Sequence, residues 1–99
     1  METWTRKEWE TASINYEKSL YYLYTPMCGT CAVASKMMTV IDAMKPDLPI
    51  GKADLNYLGD LAVDYEIESV PCLLIMKDGV LQEKVYAFQS VPDLLMKIN

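Results

Sequence analysis

Chemistry in this chain begins with Cys28 and Cys31, separated by Gly29 and Thr30. Two intervening residues let the sulfurs approach bonding distance, so a mixed disulfide formed by the first thiol can be resolved by the second. Cys28 follows a strand-like segment and opens a helix-like one, where unpaired backbone N–H groups and the positive end of the helix dipole favour a thiolate. Lowering the thiol pKa from about 8.5 to about 7 corresponds to roughly 2 kcal/mol and raises the reactive fraction at neutral pH from a few per cent to about half. The third cysteine, Cys72, stands apart, and histidine is absent. Without histidine, Ser–His and Cys–His nucleophile pairs and most zinc catalysis are excluded. A structural zinc site wants four Cys/His ligands and the chain offers three cysteines, so no metal is expected. A metal or cluster shared between two copies, and an inert buried pair, are the other readings of the motif.

The elements that must hold these thiols follow in order along the chain. Thr5-Arg6-Lys7-Glu8 has the form of a capping box and predicts a short helix to about Asn15, with Trp9 and Ala12 inward. Leu20 to Tyr24 is aromatic-rich and nearly continuous in apolar character, as a strand covered on both faces should be, and Thr25-Pro26 ends it. Residues 29–45 read as helix; at 100° per residue Val33, Met37, Val40, Ile41 and Met44 cluster inward opposite Ser35, Thr39 and Asp42. On that wheel Cys28 and Cys31 project to the polar side. Ile50–Leu55 reads as a second strand, and Asn56 is placed to cap a helix carrying Leu58, Leu61, Ala62 and Tyr65. Cys72–Met76 reads as a buried strand, Asp78-Gly79 as a hairpin turn, and Val80–Tyr86 as the returning strand. Ser90 can cap a last helix with Pro92 in its first turn and Val91, Leu94, Leu95 and Ile98 inward. The order α-β-α-β-α-β-β-α, with room for a short strand before the first helix, predicts a central sheet covered by helices.

Ninety-nine residues, about half of them hydrophobic, make one domain over residues 1–99. A net charge of −5 argues against a nucleic-acid partner, since phosphate binding needs a Lys/Arg surplus. No secretory signal and no apolar run near 20 residues is evident, so no membrane association and a cytoplasmic location are expected.

The segment Tyr24-Thr25-Pro26-Met27-Cys28-Gly29-Thr30-Cys31, followed by Ser69-Val70-Pro71 and then Leu73-Leu74-Ile75-Met76-Lys77-Asp78-Gly79, resembles the thioredoxin superfamily, in particular its small bacterial thioredoxin-like members. The element order matches over essentially the whole chain; the specific motifs occupy about twenty positions. The resemblance implies a three-layer α/β/α fold with a central mixed sheet of four to five strands. It implies a protein-disulfide reductase in which Cys28 attacks, Cys31 resolves, and Pro71 lies beside them in the cis form. From the sequence alone an ordinary trans proline at a strand start would be favoured. Met27, Gly29, Thr30, Val70 and Pro71 would contact substrate, the backbone of Val70 pairing with an extended strand. Disulfide-containing proteins as substrates, an external electron donor such as a thioredoxin reductase, no bound cofactor and a monomer complete this expectation.

Four departures from the family pattern stand out. Tyr22 occupies the position of a buried acid, and a phenol cannot accept a proton at neutral pH. Lys52 matches a buried lysine, yet lacks its acidic partner and could equally lie at the surface. Met27 replaces a tryptophan, and Thr30 replaces a proline, restoring an N–H and adding a hydroxyl near the sulfurs. Cys72 reads as a small buried hydrophobe before an alternative disulfide partner, Met37, Met38 and Met44 as core, and Trp4, Trp9 and the tyrosines as packing. The acids Asp54, Asp60, Asp64, Glu66 and Glu68 read as a solvated face. A low-molecular-weight-thiol (glutaredoxin-like) reductase and a binding module with weak turnover are the alternative functions.

Overall fold

Alternation along the central apolar run decides which face of the sheet each helix covers. The computed structural model describes Met1–Asn99. Strand β2 (Lys18–Tyr24) follows β1 (Glu2–Thr3) and α1 (Arg6–Asn15), and leads into α2 (Cys31–Met44). The chain continues through β3 (Ile50–Asp54), α3 (Gly59–Asp64), β4 (Cys72–Lys77), β5 (Val80–Val85) and α4 (Val91–Ile98). The five strands lie in the order β1-β3-β2-β4-β5. Strands β1, β3 and β2 run parallel, while β4 is antiparallel to β2 and β5 antiparallel to β4.

On β2 the side chains of Leu20 and Tyr22 join Ala34, Met38 and Ile41 of α2 and Leu94 and Ile98 of α4. Tyr21 and Leu23 point the other way, against Trp9 of α1 and Leu61 of α3. This is the period-2 pattern of a strand buried on both sides, and it yields the expected helix–sheet–helix layers. The capping box forms as expected: Thr5 Oγ1 accepts from Glu8 N–H at 3.1 Å and Glu8 accepts from Thr5 N–H at 3.0 Å. Ser90 caps α4 through Asp93 N–H at 3.1 Å, and Asp78 (φ 53°) with Gly79 (φ 79°) makes the hairpin turn. At the opposite edge Gly51 lies beneath Trp4, and a Cβ there would fall inside the indole ring. The missing side chain lets the segment after β1 close over β3.

Three expectations require correction. The inner row of α2 is Cys31, Ala34, Met38 and Ile41, while Val33, Val40 and Met44 are 46–58% exposed. The apolar stripe of α2 is wider than the face that meets the sheet, and small Cys31 and Ala34, not the bulkier Val33, allow close approach. The segment after β3 does not use Asn56 as a helix cap. Asp54 instead accepts from Asn56 N–H at 2.9 Å to close a 3-10 turn over Leu55–Tyr57, and α3 begins at Gly59 with only Leu61 fully buried. Tyr57 is left 85% exposed, so it contributes no packing. No helix is long and apolar enough to cross a membrane.

Candidate functional site

Between β2 and α2 the chain turns through Thr25–Thr30, which places both cysteines beyond the C-terminal end of the central strand. Cys28 N–H donates to the Thr25 carbonyl and Cys31 N–H to the Cys28 carbonyl, each at 3.2 Å. Cys28 and Cys31 are joined as a disulfide with Cα atoms 5.3 Å apart, inside the range that the bond requires. Their environments differ. Cys28 is half-buried, its sulfur 3.5 Å from Thr30 Oγ1 and 3.7 Å from the Val70 carbonyl oxygen. Cys31 is 4% exposed, because it heads the inner row of α2 and does not lie on the polar side as the helical wheel suggests. Cys28 precedes the helix, so the wheel never applied to it. The first turn of α2 has no side-chain cap and no acidic residue, which leaves the positive end of its dipole unopposed beside the sulfurs.

Across from the pair, the Val70–Pro71 peptide bond is cis, as the resemblance implies. Pro71 is buried and Val70 half-buried, and Met27 on the other flank is 94% exposed. Gly29 and Thr30 are exposed on the connecting turn. The fold thus brings Val70 and Pro71 beside the turn that carries the cysteines, while the Met27 side chain projects into solvent.

Beneath the pair lies Tyr22, fully buried. Its hydroxyl donates to the Cys31 carbonyl at 3.0 Å and lies 2.8 Å from the Ser35 hydroxyl. Its ring stacks on Tyr24 and tilts against Phe88, both at 5.8 Å. Burial pushes the phenol above its ordinary pKa although the Ser35 hydrogen bond opposes this, so Tyr22 remains protonated at neutral pH. It acts as a strut from β2 to the first turn of α2, not as a proton acceptor. Lys52 lies opposite Tyr22 in the β2–β3 register and is half-buried.

Next to the cysteines runs a groove of about 430 Å³, lined among others by Thr30, Val33, Met37, Pro71, Phe88 and Gln89. Sequence reasoning missed its apolar floor: Val33 and Met37 were assigned to the core, and Phe88 fell between two elements. The available signal was the excess width of the apolar stripe on α2.

Cys72 follows Pro71 yet turns to the opposite face, fully buried among Trp9, Tyr21 and Leu74. Burial pushes its thiol up to about 12, outweighing the opposing influence of the Lys84 charge and the Tyr86 hydroxyl. It is the buried hydrophobe expected, not a reactive thiol. No three Cys, Asp or Glu side chains converge on a common point.

The family model for thioredoxin matches residues 1–99. The chain is 48% identical over 85 residues to the thioredoxin-like protein YusE of Bacillus subtilis, covering 86% of this chain and 80% of that one. It is 30% identical to thioredoxin of the same organism, over 77% of this chain and 74% of that one. Among solved structures, oxidised mitochondrial thioredoxin 3 from Saccharomyces cerevisiae superimposes with a TM-score of 0.87 at 23% identity, over 99% of this chain and 92% of that chain. With an oxidised Cys-x-x-Cys pair at the start of a helix, a cis-proline beside it and this fold around both, the chain belongs to the thioredoxin family of thiol–disulfide oxidoreductases.

Proposed function

We propose that Cys28 is the attacking thiol and Cys31 the resolving thiol in the reduction of protein disulfides. The observation that carries this reading is the asymmetry of the pair: Cys28 is reachable from solvent and Cys31 is 4% exposed. In the dithiol form, the Cys28 thiolate attacks one substrate sulfur, forming a mixed disulfide and releasing the other substrate sulfur as a thiolate that takes up a proton. Cys31, deprotonated, then attacks the Cys28 sulfur. This releases the second substrate thiol and leaves the Cys28–Cys31 disulfide seen here. Two electrons pass from the pair to the substrate, and an external donor, of the thioredoxin-reductase type, returns them. The cycle uses no bound cofactor.

An extended substrate segment lies along Val70 and Pro71, flanked by Met27, Gly29 and Thr30, with an adjacent apolar side chain in the groove of Val33, Met37 and Phe88. The chain works as a single domain over residues 1–99, as a monomer in the cytoplasm, on proteins and not on nucleic acid or membranes.

The test is a trapping experiment. Cys31→Ser is expected to accumulate a stable mixed disulfide through Cys28, visible by mass after alkylation, while Cys28→Ser traps nothing and loses reductase activity. Trapping through Cys72, or none at all, would sink the assignment and favour a binding module. Recycling of the wild type by a small thiol but not by a flavoprotein reductase would favour the glutaredoxin-like alternative.

A further inference from the structure

The loop that carries Val70 to the cysteines is not part of the sheet; Ile67 N–H ties its start to the Ala62 carbonyl of α3 at 2.9 Å, and its side-chain tethers come from Lys84 and Tyr86. After α3 the backbone passes through Glu66 in the left-handed region (φ 51°) and reaches Val70–Pro71 before β4 begins. Lys84 Nζ donates to the carbonyls of Tyr65 and Glu66, each at 3.0 Å, and so caps the end of α3. Just past the end of β5, Tyr86 Oη accepts from Glu68 N–H at 3.2 Å. Ser69 and Val70 N–H have no partner within the chain, so the Tyr86 bond is the last tether before the site. Beyond it the loop's contact with the cysteines is the Val70 carbonyl, 3.7 Å from the Cys28 sulfur.

We propose that Lys84 and Tyr86 are positioning residues for disulfide exchange: by fixing the backbone at 65–68 they hold the Val70 peptide in the register that an extended substrate must meet beside Cys28. This rests on the substrate pairing described under the proposed function. Neither side chain contributes an atom to the exchange reaction. Their effect falls on substrates that read the Val70 backbone, and not on the intrinsic reactivity of the Cys28 thiolate.

Tyr86→Phe keeps the ring and deletes the hydrogen bond to Glu68 N–H, and Lys84→Met keeps the aliphatic stem and deletes the cap. For a disulfide-containing protein substrate, each variant is expected to raise KM about fivefold with kcat little changed, the ratio equivalent to one net hydrogen bond. The rate of Cys28 alkylation by iodoacetamide, measured across pH, stays at the wild-type value, which a general loss of structure would not allow. In both variants, NMR order parameters of Ser69 and Val70 fall from rigid-backbone values. Unchanged KM, a parallel loss of alkylation rate, or unchanged order parameters would overturn the proposal. A wild-type protein that turns over no protein disulfide would count against the proposed function instead, and the order parameters still decide whether the tether exists.

Discussion

The two faces of the sheet are packed by different means. Toward α1 and α3 the packing is aromatic: Trp9 stacks on Tyr21 and meets Tyr65 edge-on, both at 5.2 Å, Trp4 lies 6.1 Å from Tyr21, and Arg6 sits 5.7 Å over Tyr65. Toward α2 and α4 it is mainly aliphatic, with Tyr22, Tyr24 and Phe88 as its aromatic members. The first face encloses Cys72 completely; the second ends in a groove at Cys28 and Cys31. Position between these surroundings, and not residue type, decides which sulfur can react. Pro71 and Cys72 are neighbours in the chain, yet one borders the disulfide and the other is sealed beneath α1 and α3. One layer is thus free to serve as scaffold while the other is shaped for contact.

Substitutions that separate stability from chemistry sharpen this contrast. The largest effect is expected from Trp9→Ala, which empties the centre of the aromatic face and should cost about 3–5 kcal/mol in denaturant unfolding. The alkylation rate of Cys28 in the folded fraction should not change; a fall would mean that the two faces are coupled. Trp9→Phe is expected to be much milder, because the indole N–H has no hydrogen-bond partner.

Alkaline unfolding probes the same face through its titrating groups. Tyr21 and Cys72 are both pushed up to about 12 by burial. A raised folded-state pKa gives stability that is fully present below the unfolded value, near 9 for the thiol and near 10 for the phenol, and is lost as pH rises toward 12. Thermal melts from pH 8 to 12 should show a steady decline, and Cys72→Ala should flatten its first part. A melting temperature level to pH 11 would contradict the sealed environment.

The smallest effect belongs to the other face. Tyr22→Phe removes the hydrogen bond to Cys31 and should cost about 1 kcal/mol, leaving the pH profile of exchange between 6 and 9 unaltered because the phenol does not titrate there. A displaced profile would show that the hydroxyl takes part in proton transfer.

Much of this arrangement was legible in the chain itself. The strands announce themselves because both faces are buried, and the capping box, the Asp78–Gly79 turn and the Ser90 cap are local chemistry written in adjacent residues. The cysteine pair was legible for the same reason, whereas the cis form of Val70–Pro71 followed from the family resemblance, since the residues alone favour a trans proline. The inner row of α2 was not, because hydropathy counts Val33 and Met44 as core although the sheet accepts only the narrower row from Cys31 to Ile41. Asp54 displaced Asn56 as the cap because both side chains suit the role, and only the end of β3 settles which one is used. The groove and the tethers from Lys84 and Tyr86 join residues distant in sequence, and no local pattern encodes them.

The disulfide joins residues only three apart in sequence. By the chain-entropy relation, a loop this short restrains the unfolded ensemble by about 2 kcal/mol, against roughly 5 kcal/mol for one of a hundred residues. The crosslink is therefore a poor staple. Most of the restraint on the native state lies in the sheet and its two cores, and opening the bond to load or discharge electrons releases only this smaller share.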